Sequence, residues 1–380
     1  MLIKHLKTHV MSAVWRNFVI VEITTDEGIK GYGEATLGDF EQTAVAAVKD
    51  LEPFVVGKEI EINEMTNFFQ HNFFWRNGPV LTTAESAIEQ AMWDAFGKTL
   101  NSPVHRLIGG SVRRKVRVYA NGFVSGDLKP EEFSSRAAQI VERGFNAMKF
   151  DPFGGAGPTI TTAQLENAYN RIKAIRERVG EDVDLLIEAH GRFNPRTALK
   201  IASRIEDLNP LWLEEPVPES DIESMAEVHR SSNVPIATGE RILYLERFRD
   251  LFNARAADII QPDVCHMGGI LPLTRVGAMA STYNVMVAPH NPSGPVSTAA
   301  SLQALCTLPN GLILEFWLDA ETVRESMVRN YFTIKNGYLD VPKEPGLGID
   351  IVEESLDSFP YKKLHLEYYS DSYYYHGDIK

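Results

Sequence analysis

Three glutamates recur at one interval in the middle of the chain, and each directly follows a short apolar run. Glu188 ends Leu-Leu-Ile-Glu, Glu214 ends Leu-Trp-Leu-Glu and Glu240 follows Ile-Ala-Thr-Gly, so each glutamate lies 26 positions after the one before it. A strand, a helix and their two loops use about that many residues in a βα unit. Three neighbouring parallel strands would therefore carry carboxylates at the same edge of a sheet. Such a cluster of oxygen ligands predicts a site for one Mg²⁺ ion.

The elements that must position these glutamates alternate between strand and helix from residue 116 onward. Eight short apolar segments are predicted as strands: 116–120, 147–150, 184–188, 211–214, 236–238, 258–261, 285–288 and 312–314. Helical periodicity lies between them, at 131–143, 162–178, 195–207, 221–231, 245–254, 270–282 and 296–307. Eight βα units over residues 116–330 predict a closed (β/α)₈ (TIM-like) barrel.

The rest of the chain predicts a second, α+β unit, as expected for a length well above one average domain. Residues 1–115 contain strand pairs with a turn at Asp26–Gly28, followed by helical patterns at 41–57, 61–72 and 83–100. Residues 331–380 are assigned to the same capping domain, because a hairpin signal at Asn336–Gly337 returns to β character. The tyrosine-rich last twenty residues cover either a surface or a subunit contact, and the sequence leaves that choice open.

Each predicted barrel strand is followed by a polar or ionisable side chain. In order, these are Asn121, Lys149 and Asp151, Glu188 and His190, Glu214 and Glu215, Glu240 and Arg241, Asp263, His290, and Glu315. Taken singly, each is more often an ordinary loop residue. Together they predict an active site, because catalytic groups of (β/α)₈ barrels lie at the carboxyl ends of the strands.

These residue types suit removal of a proton next to a carboxylate. Mg²⁺ would leave coordination positions for the substrate carboxylate, and Lys149 would stabilise the negative charge of the enediolate. His290, held by Asp263, is the predicted general base, and His190 is the predicted acid for a departing hydroxide. Glu315 is expected to accept hydrogen bonds beside the substrate carboxylate. Roles for Glu215, for His266 and for the 152–161 segment stay open.

Several motifs resemble the enolase superfamily, in its mandelate racemase branch, and particularly its sugar-acid (gluconate- and galactonate-type) dehydratases. They are Tyr-Ala-Asn-Gly (119–122), Lys-Phe-Asp-Pro-Phe-Gly (149–154), Glu-Ala-His-Gly-Arg-Phe-Asn (188–194), Glu-Glu-Pro (214–216), Gly-Glu-Arg (239–241), Gln-Pro-Asp (261–263) and Pro-His-Asn (289–291). The resemblance covers nearly the whole chain. It implies Mg²⁺ on Glu188, Glu214 and Glu240, with His290 and Asp263 as the base and His190 as the acid.

Two departures from that family pattern bear on the reaction. Glu188 stands where the first ligand is more often Asp, and Asp151 stands where many relatives have a second lysine. Without that lysine, racemisation by a Lys/His pair is disfavoured. The resemblance then implies dehydration of an aldonic acid to a 2-keto-3-deoxy acid. Alternatives are another acid-sugar dehydratase (xylonate, aldarate), an epimerase or cycloisomerase, and a non-catalytic sugar-acid binding protein.

Substrate contacts are expected from loops of the capping domain over the barrel mouth. Trp15 and Arg16 in one loop, and Trp75 in another, suit a polyol chain, although ordinary packing is about equally common for such residues. In the barrel, Asn121, Asp151, Arg192 and Arg241 are the candidates for substrate binding. The two arginines alternatively neutralise the carboxylate cluster.

Composition narrows the partners to a small anionic acid sugar. The net charge of −13 disfavours nucleic acid and anionic membranes as partners, because both need a basic surface. No apolar run approaches the ~20 residues that span a bilayer, and no signal peptide is evident. Two cysteines in apolar runs fit a reducing compartment. The expectation is a cytoplasmic enzyme, as a homo-oligomer by its resemblance to this branch.

Overall fold

The computed structural model describes residues 1–124 and 128–365. The tyrosines of the last segment, Tyr368, Tyr369, Tyr373, Tyr374 and Tyr375, lie outside the described residues, and so does the prediction made for them. Within the described ranges, no helix is both long enough and apolar enough to cross a lipid bilayer.

The N-terminal unit is an antiparallel meander covered by helices. Its strands are β1 (Ile3–Ala13), β2 (Arg16–Thr25) and β3 (Lys30–Glu34), paired in that order. Its helices are α1 (Glu41–Val55), α2 (Ile62–His71), α3 (Pro79–Thr99) and α4 (Val104–Leu107). Helix α3 packs directly on β3, because Gly31 and Gly33 leave no side chain between them. A Cβ at Gly33 would lie 1.9 Å from the carbonyl oxygen of Ala87.

The second unit contains eight parallel strands. They are β4 (Lys115–Asn121), β5 (Ala147–Phe150), β6 (Asp184–Glu188), β7 (Trp212–Glu214), β8 (Ile236–Thr238), β9 (Ile259–Ile260), β10 (Met286–Val287) and β11 (Leu314–Trp317). From β4 to β10 each strand pairs with the next in sequence, and β11 pairs with β4. A parallel bridge between Val287 and Gly311 joins β10 to the segment before β11 and closes the ring. The predicted (β/α)₈ barrel is therefore confirmed.

Helices connect consecutive strands around the outside of this barrel. They are α5 (Pro130–Glu142), α6 (Thr162–Val179), α7 (Pro195–Ile205), α8 (Ile222–Ser231), α9 (Leu245–Ala254), α10 (Ile270–Thr282) and α11 (Pro295–Leu305), with α12 (Glu321–Ser326) after β11. Helix α7 illustrates why they form where they do. The Asn194 side chain accepts from the backbone N–H of Thr197, Pro195 occupies the first turn, and Ala198, Ile201 and Ile205 make one buried face.

A layer of apolar side chains fills the barrel interior beneath the strand ends. It consists of Tyr119, Ala147, Leu186, Trp212, Ala237, Ile259, Ala288 and Ile313. Tyr119 and Trp212 pack edge to face with ring centroids 5.7 Å apart, and alanines on other strands leave them room. This apolar layer closes the barrel interior beneath the polar groups at the strand ends, so that water does not reach them from below.

The segment after the barrel contacts both units. Asn336 and Gly337 have positive φ values of 51° and 77° and form the predicted turn. The strand after the turn, β12 (Tyr338–Asp340), pairs antiparallel with β4 of the barrel. Later residues reach the N-terminal unit, where the backbone N–H of Leu347 donates to Asp94 on α3.

Candidate active site

The three glutamates at the 26-residue interval meet at the carboxyl ends of adjacent strands. Glu188 and Glu214 end β6 and β7, and Glu240 follows β8 by two residues. One carboxylate oxygen from each lies within 4.8 Å of the others. Glu188 Oε2 is buried and has no hydrogen-bond donor among the described residues. A buried, unsatisfied carboxylate oxygen in an all-oxygen cluster fits a hard divalent cation.

The pKa values of these carboxyl groups reflect how closely negative charge is packed. Burial, together with the neighbouring Glu188, raises the pKa of Glu214 well above its usual range, despite the opposing effect of Lys149. Burial also raises the pKa of Glu188. At Glu240 burial is outweighed by His290 and Lys149, which lower its pKa to about 2. Carboxyl groups packed this closely favour uptake of a cation, because a cation relieves their mutual repulsion.

Lys149 projects from β5 into the same cluster. Its Nζ lies 2.6 Å from Glu214 Oε1, 3.4 Å from Glu188 Oε2 and 3.5 Å from Glu315 Oε1. Burial opposes its charge, but Glu214 and Glu315 together raise the pKa of Lys149 well above its usual range. Lys149 is therefore a fixed cation at the centre of the strand ends, above the ring of Tyr119.

His290 and Asp263 form one Asp–His pair on the wall of the site. His290 Nδ1 lies 2.7 Å from Asp263 Oδ2, and the backbone N–H of Cys265 donates to Asp263 Oδ1 over 2.7 Å. Asp263 is fully buried, and the two histidines His266 and His290 lower its pKa against the effect of burial. His290 Nε2 lies 3.4 Å from Glu240, next to the carboxylate cluster.

His190 and Asp151 form a second Asp–His pair. His190 Nδ1 lies 2.9 Å from Asp151 Oδ2, and the same oxygen accepts from the Arg192 guanidinium. Burial opposes ionisation of Asp151, but Arg192 and His190 lower its pKa. Asp151 and Arg192, predicted as substrate contacts, are thus arranged to hold His190. Because β6 and β10 are four places apart in the eight-stranded ring, His190 and His290 approach from opposite sides.

Glu315 is held by donors on both of its oxygens. The Asn121 side chain donates to Oε1 over 2.6 Å, and the backbone N–H of Asn291 donates to Oε2 over 2.7 Å. Burial works against its charge, but Lys149 and His290 lower the pKa of Glu315. The carboxylate therefore stays ionised, and Asn121 lines the cavity beside it.

A cavity of about 670 Å³ lies over these groups. Barrel residues Asn121, Lys149, Asp151, Glu188, His190, Glu240, Arg241 and His290 line it, and the capping domain contributes Trp15, Arg16, Leu37, Gly38, Asp39, Phe40, Pro79 and Val80. Trp15 packs against Trp317 with ring centroids 4.7 Å apart, and the Arg16 guanidinium lies 3.4 Å over the Trp15 ring. Both units therefore contribute residues to the wall of the cavity.

Not every residue proposed from the sequence reaches this cavity. Trp75 is 85% exposed and is not among the lining residues, and Arg192 lies behind Asp151. Arg241 lines the cavity but also pairs with Glu215, which is fully buried, and with Glu219 at 3.2 Å. Glu215 therefore contacts the site through Arg241.

The sequence did not indicate several lining residues. Trp317 ends β11, two positions after Glu315, and lines the cavity. It could have been predicted by considering the next inward-facing residue of each strand as well. The 37–40 segment after β3 carries a Gly-Asp turn signal, but nothing in that signal indicates that the turn faces the barrel. His266 does line the cavity.

Comparison with known proteins agrees with this architecture. The model of the mandelate racemase / muconate lactonizing enzyme N-terminal domain matches residues 3–109, and the enolase C-terminal domain-like model matches residues 132–355. A D-gluconate/D-galactonate dehydratase of Picrophilus torridus is 35% identical over 92% of this chain and 90% of its own length. A D-galactonate dehydratase of Cronobacter sakazakii is 32% identical over 94% of both chains.

Solved structures resemble the whole chain as well. A member of the enolase superfamily from Salmonella Typhimurium superposes with a TM-score of 0.88 at 30% identity, covering 94% of this chain and 98% of that chain. A mandelate racemase/muconate lactonizing enzyme from Sulfitobacter sp. superposes with a TM-score of 0.89 at 31% identity, covering 95% and 96%. Both units of the fold are therefore shared with these proteins.

Proposed function

Because this chain belongs to the mandelate racemase / muconate lactonizing enzyme family of the enolase superfamily, we propose that it is a Mg²⁺-dependent sugar-acid dehydratase. The relatives named above are dehydratases of D-gluconate and D-galactonate, which makes these aldonic acids the first candidate substrates. The observation that carries the proposal is the pair of Asp–His dyads on opposite sides of Lys149 and the carboxylate cluster. Dehydration needs a base for the α proton and an acid for the departing hydroxyl, and the two dyads supply one of each.

The metal ligands would be Glu188, Glu214 and Glu240. When bound, Mg²⁺ supplies Lewis-acid stabilisation of the substrate carboxylate. The buried ammonium of Lys149 contacts two of these ligands. It therefore adds a second, permanent positive charge where negative charge develops on the substrate.

His290 removes the proton from the α carbon. Asp263 accepts the hydrogen of Nδ1, which directs Nε2 into the site. Electrons of the broken C–H bond move into the carboxylate to give an enediolate, beside Lys149 and Glu315. The hydrogen bonds from Asn121 and Asn291 fix the Glu315 carboxylate, so this side of the site does not rearrange as charge develops.

His190 delivers a proton to the hydroxyl on the β carbon, from the side opposite His290. The C–O bond breaks, water leaves, and the resulting enol tautomerises to a ketone at C2. Asp151 accepts a hydrogen bond from Nδ1 and so fixes the orientation of the His190 ring. Arg192 in turn pairs with Asp151 and keeps it ionised. Arg192 therefore acts through Asp151 on the general acid His190 and not directly on the substrate.

The test is to incubate the protein with Mg²⁺ and individual aldonic acids and to detect 2-keto-3-deoxy product by NMR. Substitution His290→Asn should abolish both product and deuterium exchange at C2 in D₂O, whereas His190→Asn should retain exchange and lose dehydration. Failure of the wild-type protein to dehydrate any aldonate would refute the proposed function. Turnover that persists in His290→Asn would refute the assignment of the base.

One observation favours a second candidate, epimerisation at C2. Both histidines are paired with a carboxylate, so each has the arrangement of a base, and they approach from opposite sides. Two-base exchange at C2 would then invert configuration without loss of water. The same NMR experiment separates the candidates, because epimerisation gives a second aldonate and no keto acid.

A further inference from the structure

His266 lies in the cavity wall, and the proposed dehydration mechanism assigns it no role. It follows β9 on the same loop as Asp263, and its side chain is 16% exposed. Its Nε2 lies 3.8 Å from Asp263 Oδ2, beyond hydrogen-bond distance. An imidazole nitrogen in a substrate cavity, three residues from the base pair, offers a hydrogen bond to whatever occupies that cavity.

The other ring nitrogen of His266 is held by the capping domain. Thr83 on α3 is fully buried, and its Oγ1 lies 2.8 Å from His266 Nδ1. This is the only hydrogen bond of the Thr83 hydroxyl within the described residues. A buried hydroxyl satisfies its hydrogen by donating it, so Nδ1 accepts from Thr83 and the ring hydrogen resides on Nε2.

Asp263 favours the same tautomer. A hydrogen on Nε2 directs the positive edge of the ring toward the Asp263 carboxylate, whereas a lone pair there would face negative charge. Burial, the largest influence, lowers the pKa of His266, so the ring is neutral. His266 therefore presents an N–H donor to the cavity.

The position of His266 is set by a series of contacts between α3 and its loop. Ser86 accepts from the backbone N–H of Gly268 over 2.8 Å, and Gln90 donates to the carbonyl of Val264 over 3.1 Å. With the Thr83 bond, these contacts recur on one face of α3. His266 thus sits on a barrel loop, but its orientation depends on the capping domain.

The neighbouring wall is also rich in donors. Arg16 is 9% exposed and lines the cavity, and its Nε has no hydrogen-bond partner within the described residues. The substrate carboxylate is expected at the metal ligands, and its α and β carbons at His290 and His190. The remaining carbons must then extend toward the capping domain, where Arg16 and His266 present N–H groups.

We propose that His266 is a specificity-determining residue whose Nε2–H donates to a hydroxyl of the substrate chain beyond the β carbon, with Thr83 as its positioning residue. The proposal rests on the proposed function and identifies the hydroxylated tail of the aldonate as the group recognised. The interaction is formed in both ground state and transition state, so its loss should affect KM more than kcat.

The test compares Thr83→Val with Thr82→Val. Thr82 is the adjacent residue, is 5% exposed, and its hydroxyl has no partner within the described residues, so it is a matched control. For a six-carbon aldonate, Thr83→Val should raise KM about five- to tenfold, the value of one neutral hydrogen bond, with kcat within about twofold. Glycerate, the three-carbon aldonate, has no hydroxyl beyond the β carbon and should show no change, and Thr82→Val should leave KM unchanged for both substrates.

A readout independent of activity is the ¹⁵N NMR spectrum of histidine-labelled protein, with His266→Asn to assign the signal. The wild-type protein should show His266 as the Nε2–H tautomer, and Thr83→Val should mix the two tautomers. An Nδ1–H tautomer in the wild type would overturn the proposal. Equal KM changes for both aldonates, or a fall in kcat with KM constant, would also overturn it. If no aldonate is dehydrated, the proposed function fails. The NMR experiment still decides which nitrogen of His266 carries the hydrogen.

Discussion

Substitution of Lys149 by Met tests whether the strand ends form a charge cluster completed by a cation. The Lys149 side chain is 3% exposed, and its three carboxylate neighbours, Glu188, Glu214 and Glu315, are 4%, 0% and 0% exposed. Methionine retains the volume but leaves these carboxylates without the ammonium. Removing one partner of a buried ion pair costs ~3–5 kcal/mol. We therefore expect metal-free Lys149→Met to be destabilised by that amount.

The expected change in melting temperature follows from chain length. At about 2.1 cal/mol/K per residue, the unfolding entropy of 380 residues is ~0.8 kcal/mol/K, so the loss corresponds to about 4–6 °C. Added Mg²⁺ should restore much of this loss, because it replaces the missing charge. Its affinity should increase at least about tenfold, since one charge acting on another at ~4 Å is worth ~4 kcal/mol at an effective dielectric of 20.

The assay is a thermal melt in EDTA and in saturating Mg²⁺, together with calorimetric titration of Mg²⁺. Lys98→Met is a matched control, because Lys98 Nζ pairs with the buried Asp94 at 2.6 Å but lies on α3, outside the cavity. That variant should lose stability equally with and without Mg²⁺. If both variants respond alike to Mg²⁺, or if Lys149→Met binds Mg²⁺ more weakly, the charge-cluster reasoning is wrong.

Three further substitutions test separate parts of the site and fold. Asp263→Asn keeps a partner for His290 but favours the wrong tautomer, so kcat for C2 deuterium exchange should fall at least about 10²-fold with little change in KM. Asp151→Asn removes the carboxylate that holds His190 Nδ1 in place, so keto-acid formation should slow more than deuterium exchange in the same NMR sample. Burial alone raises the pKa of Glu85 to about 7 from an ordinary value of 4.5, so this carboxyl favours folding at low pH and that contribution is lost as pH rises through 7. Glu85→Gln should therefore melt higher than wild type at pH 8, and the difference should shrink by pH 5; an unchanged difference would contradict the buried assignment.

The barrel and its strand ends were predictable because they follow from local rules. Equal spacing of Glu188, Glu214 and Glu240 reflects the length of one βα unit, and that length makes β6, β7 and β8 neighbours. Parallel strands then bring their carboxyl ends to one edge, whatever the helices between them contain. Short apolar segments and polar residues immediately after them were sufficient to locate this edge.

The partners of those residues were not predictable from the same rules. His190 pairs with Asp151 from a turn in which His190 itself has a positive φ of 51°. A histidine in the sequence does not indicate this conformation, because positive φ is uncommon for residues other than glycine. Contacts of the capping domain depend on how two units dock, which periodicity does not encode. Trp75 and Trp15 looked equivalent as aromatic loop residues, yet only Trp15 reaches the cavity.

The capping domain also fixes the base pair, through two buried carboxylates directed at helix starts. Glu89 on α3 accepts from the backbone N–H groups of Ile270 and Leu271, where α10 begins after the Asp263 loop. Glu34 on β3 accepts from Gly294, just before α11 begins after His290. Each carboxyl group thus satisfies backbone N–H groups that would otherwise be free at a helix start. Because the two loops that carry the Asp–His base are both hydrogen-bonded to the other unit, alignment of the base depends on how the two units dock.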